Sequence, residues 1–477
     1  MRALHTRRAA LDILVRVDET GAFTSDLLGR AARSEAVHLP LLQRLVKGTL
    51  EWRDRIDHEI ARHLGAPAHS LSPVARNVVR LAAYQLLFLE KVPVERVVSE
   101  SLALLTKEPR KIQERMQAVI EALREGGRLT AQAPACLDSA TAIATHYSHP
   151  AWLVERWVKE LGLRETAAFC AANNRAWSVS IRANTVRISP HQLGKRLARE
   201  GVVTTPSRFA PDCLVIKRLP KGRRLDRLEA FSQGLFQVQD ESAALIGHLV
   251  RPPPHATVVD LCAAPGGKAT HLAALMRNRG TVLAFDVNER RLQSISENCR
   301  RLGLTSVRIR RGDARTLTLP HPAERVLLDA PCSGFGVLGR KTDIRWSKNA
   351  DTIAELTALQ TKLIDHAATL VAPGGMLIYS TCTVERAENE AIVTEFLARH
   401  PEFTLEPPPA DLPRELFSAE GFLRTYPHRH RIGGAFAAVL RRSGEGDATK
   451  RPPPTRRHAP SRGKTVAGKK AAEKKRG

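Results

Sequence analysis

The sequence has few aromatic residues, no closely paired cysteines and no long apolar segment. Its 7 Cys residues are scattered and include no C-x-x-C pair, which argues against a disulfide framework and against a zinc ribbon. A reduced cytosol is therefore the expected compartment, and no metal is expected. No apolar run reaches the roughly 20 residues that span a bilayer. Charged residues interrupt the apolar positions near the amino terminus, so no signal peptide is expected.

Acidic residues are also scarce relative to basic ones. The 477 residues include 74 Lys and Arg against 49 Asp and Glu, a formal net charge of +25. Such a field favours a polyanionic partner such as nucleic acid. The segment 443–477 has 11 Lys and Arg against 3 Asp and Glu and no apolar face, which predicts a disordered basic tail. Without an apolar face to insert, attraction to a membrane is the weaker interpretation.

Hydrophobic periodicity divides the rest of the chain into parts. Residues 1–128 carry apolar stripes at helical spacing and predict an all-α bundle, with RNA binding and a purely structural role equally open. Residues 129–148 show no clean period and predict a linker. Residues 149–235 predict a small α+β unit with interleaved basic residues, either a sheet that binds single-stranded RNA or a structural subdomain. From 236 to 442 apolar strands alternate with helices, which predicts an α/β domain with a mostly parallel sheet.

A glycine-containing loop, Asp260-Leu-Cys-Ala-Ala-Pro-Gly-Gly-Lys268, follows the first strand of this α/β region. Gly266 and Gly267 allow the backbone to approach a ligand closely, and the following helix offers free N–H groups to an anionic part of it. The next two strands end at Asp286 and near Asp313, where an acid can bind ribose hydroxyls. The loop itself contains neither a GxGxxG nor a GxxxxGK[ST] motif, so a dinucleotide or a nucleoside triphosphate is disfavoured. S-adenosylmethionine is the predicted cofactor.

Two cysteines follow consecutive apolar strands, Cys332 after RVLLDA and Cys382 after MLIYST. If these strands are neighbours, both thiols emerge at the sheet edge that carries the cofactor. A single cysteine there would more often be inert core packing, but two at equivalent strand ends favour a function. Spacing alone does not decide which thiol would attack.

A thiol beside a methyl donor suits alkylation of a pyrimidine at carbon 5, because a thiolate that adds at carbon 6 makes carbon 5 nucleophilic. A second thiolate or an acid would then remove the hydrogen from carbon 5. Since an unperturbed thiol is only slightly ionised at neutral pH, a positive field is expected, with Arg345 and Lys268 as candidates. Asp329, in the same loop as Cys332, is expected to hydrogen-bond the base edge. Methylation of an exocyclic amine would need neither thiol.

Three segments resemble signatures of the NOL1/NOP2/Sun family of RNA (cytosine-C5)-methyltransferases: DLCAAPGGKATHLA, VLLDAPCSGFGVLGR and LIYSTCTVERAENE. RRAALDILVRV and LVKGTLEWRDRID are similar to NusB-like segments, as in the bacterial Sun/Fmu (RsmB-type) branch, and RANTVRIS and FQVQDESAAL are similar to pieces that precede the catalytic core. The resemblance implies a multidomain protein. Its NusB-like RNA-binding bundle and small α+β RNA-recognition subdomain would precede a Rossmann-like, class I methyltransferase domain.

The resemblance also implies roles for individual residues. Cys382 would be the attacking nucleophile, and Cys332 would assist release. The substrate would be a cytosine in 16S ribosomal RNA. Two alternatives stay open: the same chemistry on transfer RNA or another ribosomal cytosine, and a non-catalytic RNA-binding assembly factor, against which the two intact thiols argue. The residues expected around S-adenosylmethionine and the base are Cys262, Ala263, Ala264, Pro265, Gly266, Gly267, Lys268, Asp286, Asp313 and Asp329.

Overall fold

A computed structural model of the chain describes residues 2–22, 24–32, 34–90, 92–127, 137–175 and 177–444. The basic tail expected at 443–477 lies outside these residues apart from its first two positions. None of the described helices combines the length and the apolar character that crossing a membrane requires.

The amino-terminal part is a helical bundle, as its periodicity predicted. Its central helix is α5, which carries two adjoining apolar stripes and is therefore buried on most of its surface. Ser72 caps the start of α5, with Pro73 in its first turn, and α5 packs against α1, α3, α4, α6 and α7. The described helices of this part are α1 (Arg2–Thr20), α2 (Thr24–Ala31), α3 (Leu39–Glu51), α4 (Arg53–Leu64), α5 (Pro73–Phe88), α6 (Val94–Leu104) and α7 (Arg110–Glu125).

The expected linker at 129–148 is corrected by the structure. Residues 128–136 lie outside the described residues, but Ala140–Tyr147 forms the helix α8, whose start is capped by Ser139. It packs against α9 (Ala151–Asn173), which is kinked at Gly162. The sequence did not reveal α8 because a short segment rich in Ala and Thr has little amphipathic contrast, so the helix depends on its packing.

A small four-stranded antiparallel sheet follows, with the strand order β2-β3-β1-β4. Its strands are β1 (Ser180–Ala183), β2 (Val203–Pro206), β3 (Cys213–Arg218) and β4 (Phe236–Val238), and its helices are α10 (Pro190–Arg199) and α11 (Glu229–Ser232). The boundary expected after residue 235 therefore moves beyond residue 238. Phe236 pairs with Ala183 of β1, and its ring is buried in the core of this small unit.

The carboxyl-terminal part is an α/β domain built on an eight-stranded sheet with the path β10-β12-β9-β8-β5-β6-β7, in which β11 also pairs with β12. Strands β9, β8, β5, β6 and β7 run parallel to one another. β12 pairs antiparallel with β9, and β10 and β11 each pair antiparallel with β12. The mostly parallel sheet predicted from the alternation is confirmed. Its strands are β5 (Thr257–Asp260), β6 (Thr281–Asp286), β7 (Val307–Arg311), β8 (Ala323–Asp329), β9 (Val371–Thr381), β10 (Phe403–Leu405), β11 (Leu423–Thr425) and β12 (Ala435–Arg442).

The helices of this domain cover both faces of the sheet, and two apolar clusters fill the space between them. Parallel strands that are covered on both faces have continuous apolar sequences, which is why the sequence pattern located these strands. The helices are α12 (Glu241–Val250), α13 (Gly267–Leu275), α14 (Glu289–Leu302), α15 (Ile344–Ser347), α16 (Ala350–Thr369), α17 (Glu390–Arg399) and α18 (Pro427–His430).

Arg345 on α15 joins the catalytic domain to the helical bundle. Its side chain is fully buried, and Nη1 donates to the carbonyl oxygens of Glu51 and Ser148 and to Oδ1 of Asn174 at 2.8–3.0 Å. The expectation that Arg345 supplies the positive field at the thiols is wrong, because its guanidinium serves these acceptors between the domains.

We expect Arg345→Met to destabilise the protein by about 2–4 kcal/mol, because three acceptors in the interface lose their donor. Chemical unfolding of the full chain, followed by tryptophan fluorescence, measures this change. Arg110→Met is the matched control, since Arg110 makes an exposed pair with Glu114 on the surface of α7, and its effect should stay within about 0.5 kcal/mol. Equal stability of the two variants would contradict the role given to Arg345.

Candidate active site

Cys332 and Cys382 meet at the carboxyl ends of two neighbouring strands. β8 and β9 are paired in parallel with Asp329 opposite Ser380, so the loops that follow them leave the sheet at the same edge. The two Sγ atoms lie 3.3 Å apart, and the backbone N–H of Cys382 donates to Sγ of Cys332 at 3.4 Å. Both cysteines are free thiols. The predicted convergence of the two thiols is confirmed.

The two thiols differ in how readily they ionise. The hydrogen bond from Cys332 lowers the pKa of Cys382 despite burial, and the nearby ammonium groups of Lys268 and Lys341 act in the same direction. The same hydrogen bond, together with burial, raises the pKa of Cys332 well above its usual value. A proton shared in this way belongs to the pair, and it favours a thiolate on Cys382. The electrostatics thus favour Cys382 as the nucleophile, a choice that sequence spacing left open.

Lys268 supplies positive charge at the thiols, as the sequence predicted. Its Nζ donates to Oδ2 of Asp329 at 2.7 Å, while Oδ1 of the same carboxylate accepts from the hydroxyl of Ser380 at 2.7 Å. Burial alone would lower the pKa of Lys268, but Asp329 outweighs this effect and the pKa is raised. Sequence reasoning missed the second cation, Lys341, because no motif marks it and only the fold brings it back to the thiols.

A cavity of about 600 Å³ opens beside the two thiols. Its size lies within the range of cofactor and small-ligand sites. Four of the predicted residues, Ala263, Gly266, Gly267 and Lys268, are not among the described residues that line it. The lining consists of Leu261, Cys262, Ala264, Pro265, Asp286, Val287, Arg291, Asp313, Ala314, Arg315, Asp329, Ala330, Pro331, Cys332, Lys341, Leu359, Leu363 and Cys382.

The turn from β5 into α13 forms one wall of this cavity, and it requires glycine. Gly266 has a φ of 99°, and a Cβ at this position would lie 3.1 Å from Ile295, so both backbone strain and crowding exclude a side chain. The backbone N–H of Ala264 donates to Oδ2 of Asp286 at 3.2 Å. The acid at the end of β6 therefore fixes the loop that it faces.

The predicted acids at the strand ends differ in their surroundings. Asp286 also accepts from the backbone N–H of Asn288 at 2.9 Å, and its carboxylate retains lone pairs for further donors. Arg315 binds Asp313 through its side chain and its backbone N–H, which lowers the pKa of that carboxyl group. Asp260, which opens the loop, is fully buried, and burial together with the nearby Asp329 raises its pKa to about 7.

In the described part of the chain, one group of side chains has the spacing of metal ligands: Asp212, His248 and His271. The Nε2 atoms of His248 and His271 lie 3.0 and 2.6 Å from the two carboxylate oxygens of Asp212. These are hydrogen-bonding distances, and they are shorter than the separation of about 3.3 Å between two ligands of a tetrahedral zinc ion. Burial lowers the pKa of His271 to about 4. The cluster joins the small sheet to α12 and α13.

Arg182 on β1 adds a second connection between the small sheet and the cofactor loop. Its side chain is buried, and its guanidinium donates to the carbonyl oxygen of Gly267 and to the hydroxyl of Thr270, each at 3.3 Å. The small unit thus supports the first turn of α13 from outside the catalytic domain.

We expect Lys268→Met to raise the pKa of the Cys382 thiol, because a cation that stabilises the thiolate is lost. The rate at which iodoacetamide alkylates Cys382 at neutral pH should fall about tenfold and recover at higher pH. Mass spectrometry of the Cys382 peptide measures this rate across a pH series. The control is Lys362→Met, which removes an exposed lysine of α16. An unchanged pH profile in Lys268→Met would contradict the assignment.

Comparison with known proteins gives matches along nearly the whole chain. Residues 4–116 match the NusB family, residues 149–220 match the ferredoxin-like domain described as RsmF/B-like, and residues 248–441 match the family described as 16S rRNA methyltransferase RsmB/F. A Bacillus subtilis (strain 168) protein named "Probable ribosomal RNA small subunit methyltransferase B" is 31% identical over 457 residues, which cover 93% of this chain and 100% of that protein.

Two solved structures are similar over much of their length. The crystal structure of PH0851 superposes with a TM-score of 0.73 at 30% identity and covers 91% of this chain and 98% of that one. The crystal structure of NSun6 from Pyrococcus horikoshii with SFG gives a TM-score of 0.54 at 25% identity, with 61% of this chain and 98% of that one covered.

Proposed function

The chain belongs to the RsmB/F family of 16S rRNA methyltransferases, and we propose that it methylates carbon 5 of a cytosine in small-subunit ribosomal RNA with S-adenosylmethionine as donor. Family membership makes the protein an RNA methyltransferase with a NusB-like bundle, a ferredoxin-like subdomain and a Rossmann-like catalytic domain, the fold class that the sequence predicted. One observation carries the finer proposal, the 3.3 Å contact between Sγ of Cys332 and Sγ of Cys382 in the wall of the cavity.

The residues around the cavity fit S-adenosylmethionine. Asp286 stands at the end of β6, where an acid can bind ribose hydroxyls, and Gly266 allows the turn that forms one wall of the cavity. Asp313 and Asp329 add carboxyl groups to the lining, around a ligand whose sulfonium is positive. When bound, this cofactor supplies an electrophilic methyl group.

Cys382 begins the proposed reaction. Its thiolate adds to carbon 6 of the cytosine, and the electron pair of the ring double bond moves toward carbon 5, which becomes the nucleophile that accepts the methyl group. Asp329 hydrogen-bonds the polar edge of the base from a carboxylate held by Lys268 and Ser380. Because those two donors fix both oxygens, Asp329 is already oriented before the base arrives.

Cys332 completes the reaction by accepting the hydrogen of carbon 5 as a proton, after which the bond between carbon 6 and Sγ of Cys382 breaks and the thiolate leaves. In the free protein the main cause of the raised pKa of Cys332 is its hydrogen bond to Cys382. Formation of the adduct consumes that thiolate, so the pKa of Cys332 falls and Cys332 can lose its own proton. The thiolate of Cys382 therefore keeps Cys332 protonated until the adduct has formed, and Cys332 can act as a base only after that step.

The ring must be reached from more than one side, so the target cytosine is expected to be unpaired or flipped out, at a cost of a few kcal/mol. The same site would act on a cytosine of transfer RNA if the helical bundle and the small sheet selected that RNA instead. Mapping of 5-methylcytosine in ribosomal and transfer RNA, from cells with and without this protein, tests the proposal. Loss of a 16S site supports it, and loss of a transfer RNA site alone would replace it with the alternative.

We expect Cys382→Ala to reduce methyl transfer by at least about a thousandfold, because no other described thiol has its position beside the cavity and a lowered pKa. Affinity for S-adenosylmethionine, measured by calorimetry, should change little, which separates chemistry from binding. Cys299→Ala, which removes a core thiol of α14, is the matched control. Retained turnover in Cys382→Ala would refute the role of Cys382 as nucleophile.

We expect Cys332→Ala to accumulate a covalent protein–RNA adduct, because carbon 5 keeps its hydrogen and the thiolate of Cys382 cannot leave. A slow band on a denaturing gel, sensitive to ribonuclease, reports this adduct. Its formation should need a higher pH than the first turnover of the wild type, since Cys382 loses the hydrogen bond that lowers its pKa. Absence of the band across that pH range would assign release to another base.

A further inference from the structure

We propose that Glu388, acting with Gln360, is a positioning residue that holds the loop carrying Cys332 (residues 330–334) against Cys382. This inference rests on the proposed function, because it explains how the base for the release step is kept in place. Neither side chain lines the cavity or contacts the sulfur atoms, so neither is a catalytic residue.

The carboxylate of Glu388 accepts a hydrogen bond from the backbone immediately after Cys332. The N–H of Ser333 donates to Oε2 of Glu388 at 2.8 Å, and Nε2 of Gln360 donates to the same oxygen at 2.9 Å. The amide of Gln360 also donates to the carbonyl oxygen of Pro331 at 2.8 Å. The two side chains therefore bracket Cys332, one residue on either side, through hydrogen bonds that fix its backbone.

The side chains of Glu388 and Gln360 hold this arrangement rigidly because both are buried. Glu388 and Gln360 are both 0% exposed. The 3-10 helix that carries Glu388, Arg386–Glu388, is tied to β9 by the hydroxyl of Tyr379, which donates to the Glu388 carbonyl oxygen at 2.6 Å. A hydrogen bond made in this dry environment is stronger than one exposed to water.

A second contact links the two thiol-bearing loops directly. The hydroxyls of Ser333 and Thr383 lie 2.7 Å apart, and the N–H of Gly336 donates to the carbonyl oxygen of Cys382 at 3.0 Å. Ser333 thus takes part in both attachments, through its N–H to Glu388 and through its hydroxyl to Thr383. Loss of the carboxylate would free the N–H of Ser333 and leave the hydroxyl contact, the Gly336 bond and the bond from Gln360 to Pro331 to hold the loop.

The charge of Glu388 acts on the pair as well. Burial raises the pKa of Glu388, and the donors Ser333 and Gln360 oppose that rise. The carboxylate in turn contributes to the raised pKa of Cys332, after the larger effects of Cys382 and of burial. The other charged or titratable groups that face the pair are Tyr379, Asp329, Lys268 and Lys341.

Three variants separate position from charge. Glu388→Ala removes the acceptor, so Cys332 should lose its place and a covalent RNA adduct should accumulate while kcat falls at least about tenfold and KM changes little. Glu388→Gln keeps an acceptor for Ser333 without the charge, so turnover should return to within about threefold of wild type. Gln360→Met should resemble a milder Glu388→Ala, and it serves as the second variant should that protein fold poorly.

The control is Glu241→Ala, which removes another buried carboxylate of the same domain, one that accepts a hydrogen bond from Ser207. It should form no adduct. If Glu388→Ala forms none either, or if its kcat falls only in step with its melting temperature, the carboxylate has a merely structural role and the proposal is overturned. Failure of Glu388→Gln to restore turnover would equally overturn a role based on position.

A readout without RNA distinguishes failure of this inference from failure of the proposed function. Alkylation of Cys332 and Cys382 by iodoacetamide, followed across pH in the free protein, reports the thiol pair alone. Glu388→Gln should shift the alkylation profile of Cys332 to lower pH, because a nearby negative charge is removed. A shift in a protein that methylates no cytosine would retain the inference about Glu388 and refute the reaction, whereas an unshifted profile would refute the electrostatic part of the inference.

Discussion

The parallel pairing of β8 and β9 is the constraint on which the site depends. Because Asp329 lies opposite Ser380 in that ladder, the loops beyond them are forced to the same edge of the sheet, and the sulfur atoms of Cys332 and Cys382 come within 3.3 Å of each other. A slip of one strand by a single residue would send the side chains to opposite faces. The backbone register thus determines whether the thiols of Cys332 and Cys382 ionise independently or share one proton.

Support for this edge comes from all three parts of the chain. Arg182 of the small sheet holds the start of α13, and Arg345 ties the catalytic domain to the carbonyl oxygen of Glu51 in the bundle. Glu385, just beyond the second thiol, accepts from Arg156 and from Nε1 of Trp157 on α9. The regions that surround the catalytic domain are therefore fastened to the loops that carry the cofactor site and the thiols.

The parts of this arrangement that follow from local sequence were predictable. An apolar strand followed by a small polar turn indicates a strand end, so the edge that holds Cys332, Cys382 and Asp286 could be located without a structure. Contacts between distant segments could not be located in this way. Gln360 reaches Glu388 from α16 only because that helix packs on β8 and on the 3-10 helix, and the direction of Arg345 depends on the position of the bundle. A charged residue in a sequence is expected to have polar partners if it is buried, but the sequence does not show which residues the fold brings to it.

The distribution of charge within the cavity differs from that of the whole chain. The protein carries a net charge of +25, yet the charges that line its cavity are balanced, with Asp286, Asp313 and Asp329 against Arg291, Arg315 and Lys341. A positive exterior attracts RNA at long range, but a sulfonium donor would be repelled by the same charge at short range. Carboxylates fixed by backbone N–H groups, as in Asp286, resolve this conflict because those donors hold the carboxylate in place without adding a positive charge. Lys268 and Lys341 lie near the thiols, where their positive charge favours a thiolate on Cys382.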